Sequence, residues 1–555
     1  MNKWLFLLLL QTATLSAQTP RPNKYWVTFS DKNNSPYCLC RPAELLSARA
    51  LERRAKASIP LDETDLPVNP EYVEGLKAKG ARIHLTSRWL NAAAVIADSL
   101  TATRLKALAY VDTVQYVGPH LRTINHVVAS FSRDQRPPVV LPKPLRPDNP
   151  YGYSGMQNSL LNLPLLHFAG HRGHGIWVGV MDGGFLAADI LPFFDSVAND
   201  GRLMAVRNFV DRYQNVYLAA THGTSVLSAM AANVPGYLVG GAPDAAYFLF
   251  RTEDTSGEFP IEECNWVAAA EYADSMGIDI INASLGYTSF NDAALSHSFE
   301  VLNGRTAIGS RGASIAVQKG MIVCNSAGNS GDEPWKHIGV PADAPGVIAV
   351  GALDYDGTRA SFSSFGPTAD GRIKPDLCAP GLQVVVAGSK DFELGMSSGT
   401  SLASPMLTGG IAALWSAFPE KTAAEIVDAV YASADQYDRP DVARGYGLPD
   451  LSKAWGTLAG FVHDGDFINN ARNGFFASDP RAGTLTFWSM APLSEPSAVY
   501  LKNILGESIP VAFRHHLQRV GRIELEGLSD LPAGTYTLSC VTQGGVIPFL
   551  GLVWH

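Results

Sequence analysis

Five short segments carry residue types and spacings that suit acyl transfer. Ser401 stands in Gly399-Thr-Ser-Leu-Ala-Ser-Pro405, ahead of an apolar helical stretch from Met406 to Ala417. A serine at a helix N-terminus faces backbone N–H groups and the positive end of the helix dipole, and such groups stabilise an oxyanion as it develops. Asp182 closes the apolar run Ile176–Met181. A carboxylate there is costly to bury without a partner, and Gly183 and Gly184 let another segment come close. His222, in Thr221-His-Gly-Thr-Ser225, opens a helical stretch, and Gly223 leaves its ring edge uncrowded. Asn329 ends Asn325-Ser-Ala-Gly-Asn329 beyond the apolar run Met321–Cys324, where its amide is a candidate oxyanion donor. Ser284-Leu285-Gly286 follows Ile278–Ile281 and offers backbone groups to a substrate strand. Each has a plainer reading when taken singly: a capping serine, a structural aspartate, a packed histidine, an Asx turn, an ordinary strand end.

These segments need a scaffold that brings their ends together. From 151 to 457 short apolar runs (Ile176–Met181, Tyr247–Phe250, Ile278–Ile281, Met321–Cys324, Val347–Val350) alternate with helical stretches such as Ile261–Met276 and Ala313–Lys319. That alternation predicts a doubly wound, mainly parallel α/β sheet, whose ligands sit beyond the carboxyl ends of the strands. Residues 20–118 read as a small α+β domain: strands at Tyr25–Phe29, Arg82–Leu85, Ala92–Ala97 and Thr113–Val117, and helices at Leu45–Lys56, Tyr72–Lys79 and Leu100–Leu108. Two helices crossing an antiparallel sheet is a ferredoxin-like pattern. Six prolines between 136 and 150 make a stiff linker, and 471–555 reads as short strands separated by turns, a C-terminal β-sandwich pattern.

Composition narrows the function. The net charge of −9 comes without a long basic run, which excludes nucleic acid as a partner. Lys3, the apolar run Trp4–Leu10 and Ala17 form a secretory signal pattern over 1–17, so the expected location is secreted or at the cell surface. The six cysteines are too scattered for a disulfide framework and are expected to be mostly buried free thiols.

The order Asp, His, Ser along the chain differs from the chymotrypsin and α/β-hydrolase orders. With Val178-Gly-Val-Met-Asp-Gly-Gly184, His222-Gly-Thr224, Ser284-Leu-Gly286, Ser326-Ala-Gly-Asn329 and Gly399-Thr-Ser-Leu-Ala-Ser-Pro405, the segment 151–457 resembles a subtilisin-like serine protease, a subtilase. The resemblance implies that Asp182 orients His222, that His222 is the general base, Ser401 the nucleophile and Asn329 the oxyanion donor. It also implies that Ser284, Leu285, Gly286, Ala327 and Gly328 bind protein or peptide substrates. Residues 20–118 resemble the family's propeptide, a folding helper and temporary inhibitor, which implies self-cleavage between 118 and 151. Residues 471–555 resemble the C-terminal sorting domains of type IX secretion in the Bacteroidetes group, through Gly483-Thr-Leu-Thr486, Leu501-Lys-Asn-Ile-Leu-Gly506 and Leu531-Pro-Ala-Gly-Thr-Tyr-Thr-Leu538; the type IX machinery would then be a partner. Three departures stand out. Gly183 replaces a hydroxyl residue common after the aspartate. Leu402 replaces a common methionine and has no thioether to oxidise. No family calcium loop is readable, so no metal ligand is assigned and structural calcium stays open.

Competing patterns point elsewhere. Gly395-Met-Ser-Ser-Gly399 fits the nucleophile elbow of an esterase centred on Ser397, but that motif needs a preceding strand and a later Asp and His, and Asp391–Leu394 is a poor strand; Ser397 is expected in a loop. His167, His171 and His174 have metal-like spacing, but intervening glycines argue for surface or loop positions.

Overall fold

The computed structural model describes residues 22–120, 150–459 and, further on, the strands and short connecting pieces between 475 and 554. The signal segment 1–17 and all but the last residue of the linker 136–150 lie outside the described residues.

The N-terminal domain is built from β1 (Asn23–Phe29), α1 (Ala48–Lys56), α2 (Pro70–Ala78), β2 (Arg82–Ser87), β3 (Ala92–Ala97), α3 (Ser99–Lys106) and β4 (Val111–Pro119). The sheet runs β2-β3-β1-β4 with every neighbouring pair antiparallel, the ferredoxin-like arrangement expected. Side chains alternate across a strand, and here the alternation divides two cores. Tyr25, Val27, Ala93 and Val95 pack with Leu76 and Leu105 under α2 and α3. Trp26, Ala92 and Ala94 point the other way, into a cluster shared with the next domain. Asn69 and Asp98 cap α2 and α3 by accepting from the N–H groups of Glu71 and Thr101. The helix expected from Leu45 begins at Ala48, where Ser47 accepts from Ala50 N–H.

The second domain follows with α4 (Gly155–Ser159), α5 (Leu163–Phe168), β5 (Trp177–Asp182), α6 (Asp195–Asn199), β6 (Leu203–Asn208), α7 (His222–Ala231), β7 (Asn233–Val234), β8 (Leu238–Val239), β9 (Ala246–Arg251), α8 (Ile261–Met276), β10 (Ile280–Ala283), α9 (Ile308–Gln318), β11 (Ile322–Ser326), β12 (Ile348–Leu353), β13 (Leu377–Pro380), β14 (Val384–Ala387), β15 (Leu394–Ser397), α10 (Thr400–Trp415), α11 (Ala423–Ala432) and α12 (Leu451–Leu458). A seven-stranded sheet runs β13-β12-β11-β10-β5-β9-β6, parallel at every pairing. Both faces are covered, so its strands are apolar on both sides. Val178, Val180, Leu249 and Ile280 face the core that includes α7 and α10. Met181, Phe248, Phe250 and Ile281 face the core that includes α8 and α9. The chain starts mid-sheet at β5, adds β6 and β9 on one side, then crosses to β10 on the other. The order therefore reverses between β5 and β10, which is where such sheets open a crevice at their carboxyl ends.

Beyond 470 lie β16 (Phe475–Asp479), β17 (Thr484–Trp488), β18 (Ala498–Asn503), β19 (Ser508–Pro510), β20 (Ala512–His515), β21 (Arg522–Glu526), β22 (Gly534–Thr542) and β23 (Gly545–Trp554). They form two four-stranded antiparallel sheets, β16-β17-β21-β20 and β19-β18-β22-β23. Val499, Leu501 and Leu538 of one sheet share a buried cluster with Ile523 and Leu525 of the other.

Three expectations need correction. Cys38 and Cys40 are joined in a disulfide, their Cα atoms 5.1 Å apart, so they are not free thiols; Cys264, Cys324 and Cys378 are free and buried. His167 is not at the surface: it lies buried in α5, its Nε2 2.9 Å from the Gly241 carbonyl. Ser397 is not in a loop but in β15, opposite Val384 of β14.

Candidate active site

Asp182 is the last residue of β5 and is buried, with 1% of its surface exposed. Its carboxylate lies 2.9 and 3.1 Å from His222 Nδ1 and accepts a 2.8 Å bond from Gly183 N–H. His222 is the first residue of α7, one turn earlier than the apolar pattern suggests. Two glycines allow this approach. A methyl on Gly223 would lie 2.9 Å from Asp182 Cβ and 2.3 Å from the Gly184 carbonyl oxygen; one on Gly184 would lie 2.3 Å from Ala219 Cβ. The imidazole keeps 43% of its side-chain surface exposed. The Asp182 charge is the main influence on it and holds its pKa above the ordinary 6.5, against the opposing effect of desolvation. With Nδ1 turned to the carboxylate, Nε2 is the ring nitrogen left for a second partner.

Ser401 lies in the first turn of α10 and is 9% exposed. Its position is set from β10 and β11, the next strands along the sheet from β5. Ser284 Oγ donates to the Ser401 carbonyl at 2.7 Å. Asn282 Oδ1, inside β10, accepts from Ser404 at 2.8 Å and Thr408 at 3.0 Å, pinning the following turns of the helix. Gly399 leaves space for the hydroxyl: a methyl there would stand 2.8 Å from Ser401 Oγ and 3.5 Å from Asn329 Nδ2. Both groups thus border the same small volume. Asn329 Oδ1 accepts from Thr400 N–H at 2.8 Å and Thr400 Oγ1 at 2.9 Å, which fixes the amide so that Nδ2 remains for donation. Thr400 Oγ1 in turn accepts from Gly328 N–H.

The five residues expected to bind substrate are placed unequally. Gly286 is exposed, and among the described residues neither its N–H nor its carbonyl has a hydrogen bond. The Leu285 carbonyl is taken by Asn325 Nδ2 and Ser326 Oγ. Ser284 is turned toward Ser401. Ala327 is fully buried, with both backbone groups bonded to neighbouring segments, and Gly328 sits between Thr400 and Ser364. The positioning residues Asn282 and Thr400 escaped the sequence reading. Their signal was a polar side chain within an apolar strand and a hydroxyl beside the candidate nucleophile.

A further acidic group sits nearby. The carboxylates of Glu253, Glu258 and Glu262 lie within 4.8 Å of one another, the one cluster among the described residues able to hold a metal ion. Burial first, then mutual repulsion, raises the pKa of both Glu253 and Glu262. Tyr287 donates to Glu253 at 2.6 Å. No helix among the described residues is long and apolar enough to cross a membrane.

Comparison with known proteins fits this geometry. The profile of the subtilase family matches residues 173–448. Subtilisin from Bacillus pumilus is 31% identical over 292 residues, which cover 51% of this chain and 91% of that protein. The chain belongs to the subtilase family. Subtilisin E from Bacillus subtilis (strain 168) is 28% identical over 369 residues, 65% of this chain and 79% of its own. The thermostable alkaline protease of Halalkalibacterium halodurans is 29% identical over 300 residues, 53% of this chain and 72% of its own. The profile of the peptidase S8 propeptide domain of Bacteroidota matches residues 24–132. This subtilase is therefore a serine endopeptidase with a family propeptide domain, referred to below as the prodomain, ahead of its α/β domain.

Proposed function

We propose that this subtilase is a secreted endopeptidase that cleaves peptide bonds through an acyl-enzyme on Ser401. His222 takes the Ser401 proton as general base and later delivers it to the leaving amine. Asp182 holds the ring with Nδ1 protonated and stabilises the imidazolium that forms. The Asn329 amide and the N–H groups opening α10 stabilise the oxyanion. Substrate lies extended along Gly286, whose free backbone groups accept it as an added strand. The observations that support this reading are the Asp182–His222 pair at the end of β5 and, in the same domain, a helix α10 with Ser401 in its first turn and the Asn329 amide bordering the same small volume. The prodomain inhibits the enzyme until the chain cuts itself between 118 and 151. The C-terminal strands form a β-sandwich that directs the protein to the cell surface through the type IX machinery.

The test is the intact mass of protein expressed identically as wild type, Ser401→Ala and Ser397→Ala. Loss of the prodomain in wild type and Ser397→Ala, but not in Ser401→Ala, is the expected result. Retention in all three chains would remove the self-cleavage reading, and loss of processing only with Ser397→Ala would favour the esterase arrangement. For surface location, deletion of 471–555 is expected to abolish display, and undiminished display would refute the sorting role.

A further inference from the structure

The insert carrying α1 rests on the protease domain rather than on the prodomain's own sheet. Ser47 N–H and Oγ donate to the carbonyls of Ser275 and Met276, each at 2.9 Å. Gly277, which ends α8 in the left-handed region (φ 87°), lets α1 come close: a methyl there would stand 2.7 Å from Ala50 N. Beneath this contact lies a set of buried charges. Asp274, fully buried, is bound by Arg53, by Arg54 (2.9 and 3.0 Å) and by Arg88 (2.8 Å). Arg54 also holds Asp65 at 3.0 Å, and Asp65 meets Lys319 at 3.0 Å. Lys319, 3% exposed, also reaches Asp62. Among the described residues, every side-chain partner of Asp274 and Lys319 comes from the prodomain. The same holds for Glu271, which accepts from Ser87 Oγ and from the N–H groups of Arg88 and Trp89.

We infer that Asp274 and Lys319 are the residues by which the protease domain recognises its own prodomain, through an alternating row of buried charges: Asp274, Arg54, Asp65, Lys319. The inference rests on the prodomain acting as a bound inhibitor and adds what selects it. A bare apolar contact, such as that of Trp26 and Trp89 with Trp266 and Ala269, tolerates many partners. A buried charge does not: a mispaired prodomain would leave Asp274 or Lys319 desolvated and uncompensated, which costs far more than the matched pair gains. Neither residue has a side-chain partner within the protease domain, so neither is needed to hold that domain together once the prodomain has gone.

The test uses the full-length Ser401→Ala chain with a site-specific protease sequence placed in the linker between 136 and 149, so that cutting needs no activity of the chain itself. After the cut, the prodomain is expected to co-elute with the remainder on size exclusion. Asp274→Asn is expected to weaken that retention by about 100-fold or more, and Lys319→Met to weaken it in the same direction. In active chains that have matured and shed the prodomain, both substitutions are expected to leave kcat, KM and Tm at wild-type values. Unchanged retention in both variants would overturn the inference, since the apolar contact would then suffice. So would parallel losses of Tm or activity in the mature enzyme, which would make these residues supports of the protease domain. If Asp274→Asn does not fold, Arg88→Gln on the prodomain side gives the same reading with Lys319→Met. Retention is measured without catalysis; failure of the inhibitor reading would appear separately, as full activity of the cut wild-type complex.

Discussion

Gly223 and Asp182 approach so closely that a single methyl group on the glycine would lie 3.0 Å from the carboxylate carbon. The helix that presents His222 can therefore begin beside the end of β5 only because the residue after the histidine has no side chain. Gly223→Ala is expected to push α7 away from Asp182 and to lower kcat/KM on a peptide substrate by about 100-fold, the scale of an ångström misplacement of a reacting group. Wild-type kcat/KM in that variant would show that the close approach is dispensable.

The pH profile follows from the Asp182–His222 pair. General-base catalysis needs the neutral ring, and the Asp182 charge favours the protonated one, which raises the His222 pKa above 6.5. With His222 in the proposed role of general base, activity is expected to be lost as pH falls through that raised value and to be full above it. Asp182→Asn removes the charge, so its residual activity is expected to inflect at lower pH than in wild type while its maximum falls by about four orders of magnitude. Rate profiles of kcat/KM between pH 5 and 9 decide it, and an inflection that does not move would detach His222 from Asp182.

On the oxyanion role proposed for it, Asn329→Ala is expected to reduce kcat by about 100- to 1,000-fold with little change in KM, the scale of removing one oxyanion-hole donor. A donor that acts only as charge develops affects the transition state and not substrate binding. An equal rise in KM with kcat intact would reassign Asn329 to binding.

Mild hydrogen peroxide is expected to leave activity intact. The residue after Ser401 is Leu402, which carries no sulfur, and burial pushes the thiols of Cys324 and Cys378 up to about 12, away from the reactive thiolate. Met396 on β15 is 73% exposed and should oxidise first. Mass spectrometry showing sulfoxide at Met396 in fully active protein is the expected result; rapid inactivation would place an oxidisable group in the site.

How much of this was legible in the sequence depended on burial. β5, β9, β10, β11 and β12 are covered on both faces, so each appears as a short, mainly apolar run, found to within three residues at either end. β6 was missed because it is an edge strand with half-exposed residues such as Met204 and Val206, and β13 because Pro375 and Pro380 bracket its short apolar stretch. The helices that open the site begin earlier than their apolar stretches: His222 and Thr400 start α7 and α10 with polar residues that periodicity does not count. Asp182, His222, Asn329 and Ser401 could be read from short motifs. The bonds from Asn282 and Ser284 that hold α10 in place link residues more than 100 positions apart, and local pattern carries no trace of such pairs. The α1 contact was hidden for the same reason: Arg54 meets Asp274, which lies some 220 residues later in the chain.

The alternation along β1 and β3 has one more consequence. Trp26, Ala92 and Ala94 belong to the prodomain's part of a core that also takes in α8, α9 and one face of the protease-domain sheet. A protein that sheds such a partner turns part of its interior into surface in a single irreversible cut. If the proposed cut removes the prodomain, the contacts it makes are missing from any later refolding, and the working life of the cut enzyme is expected to be set by its rate of unfolding.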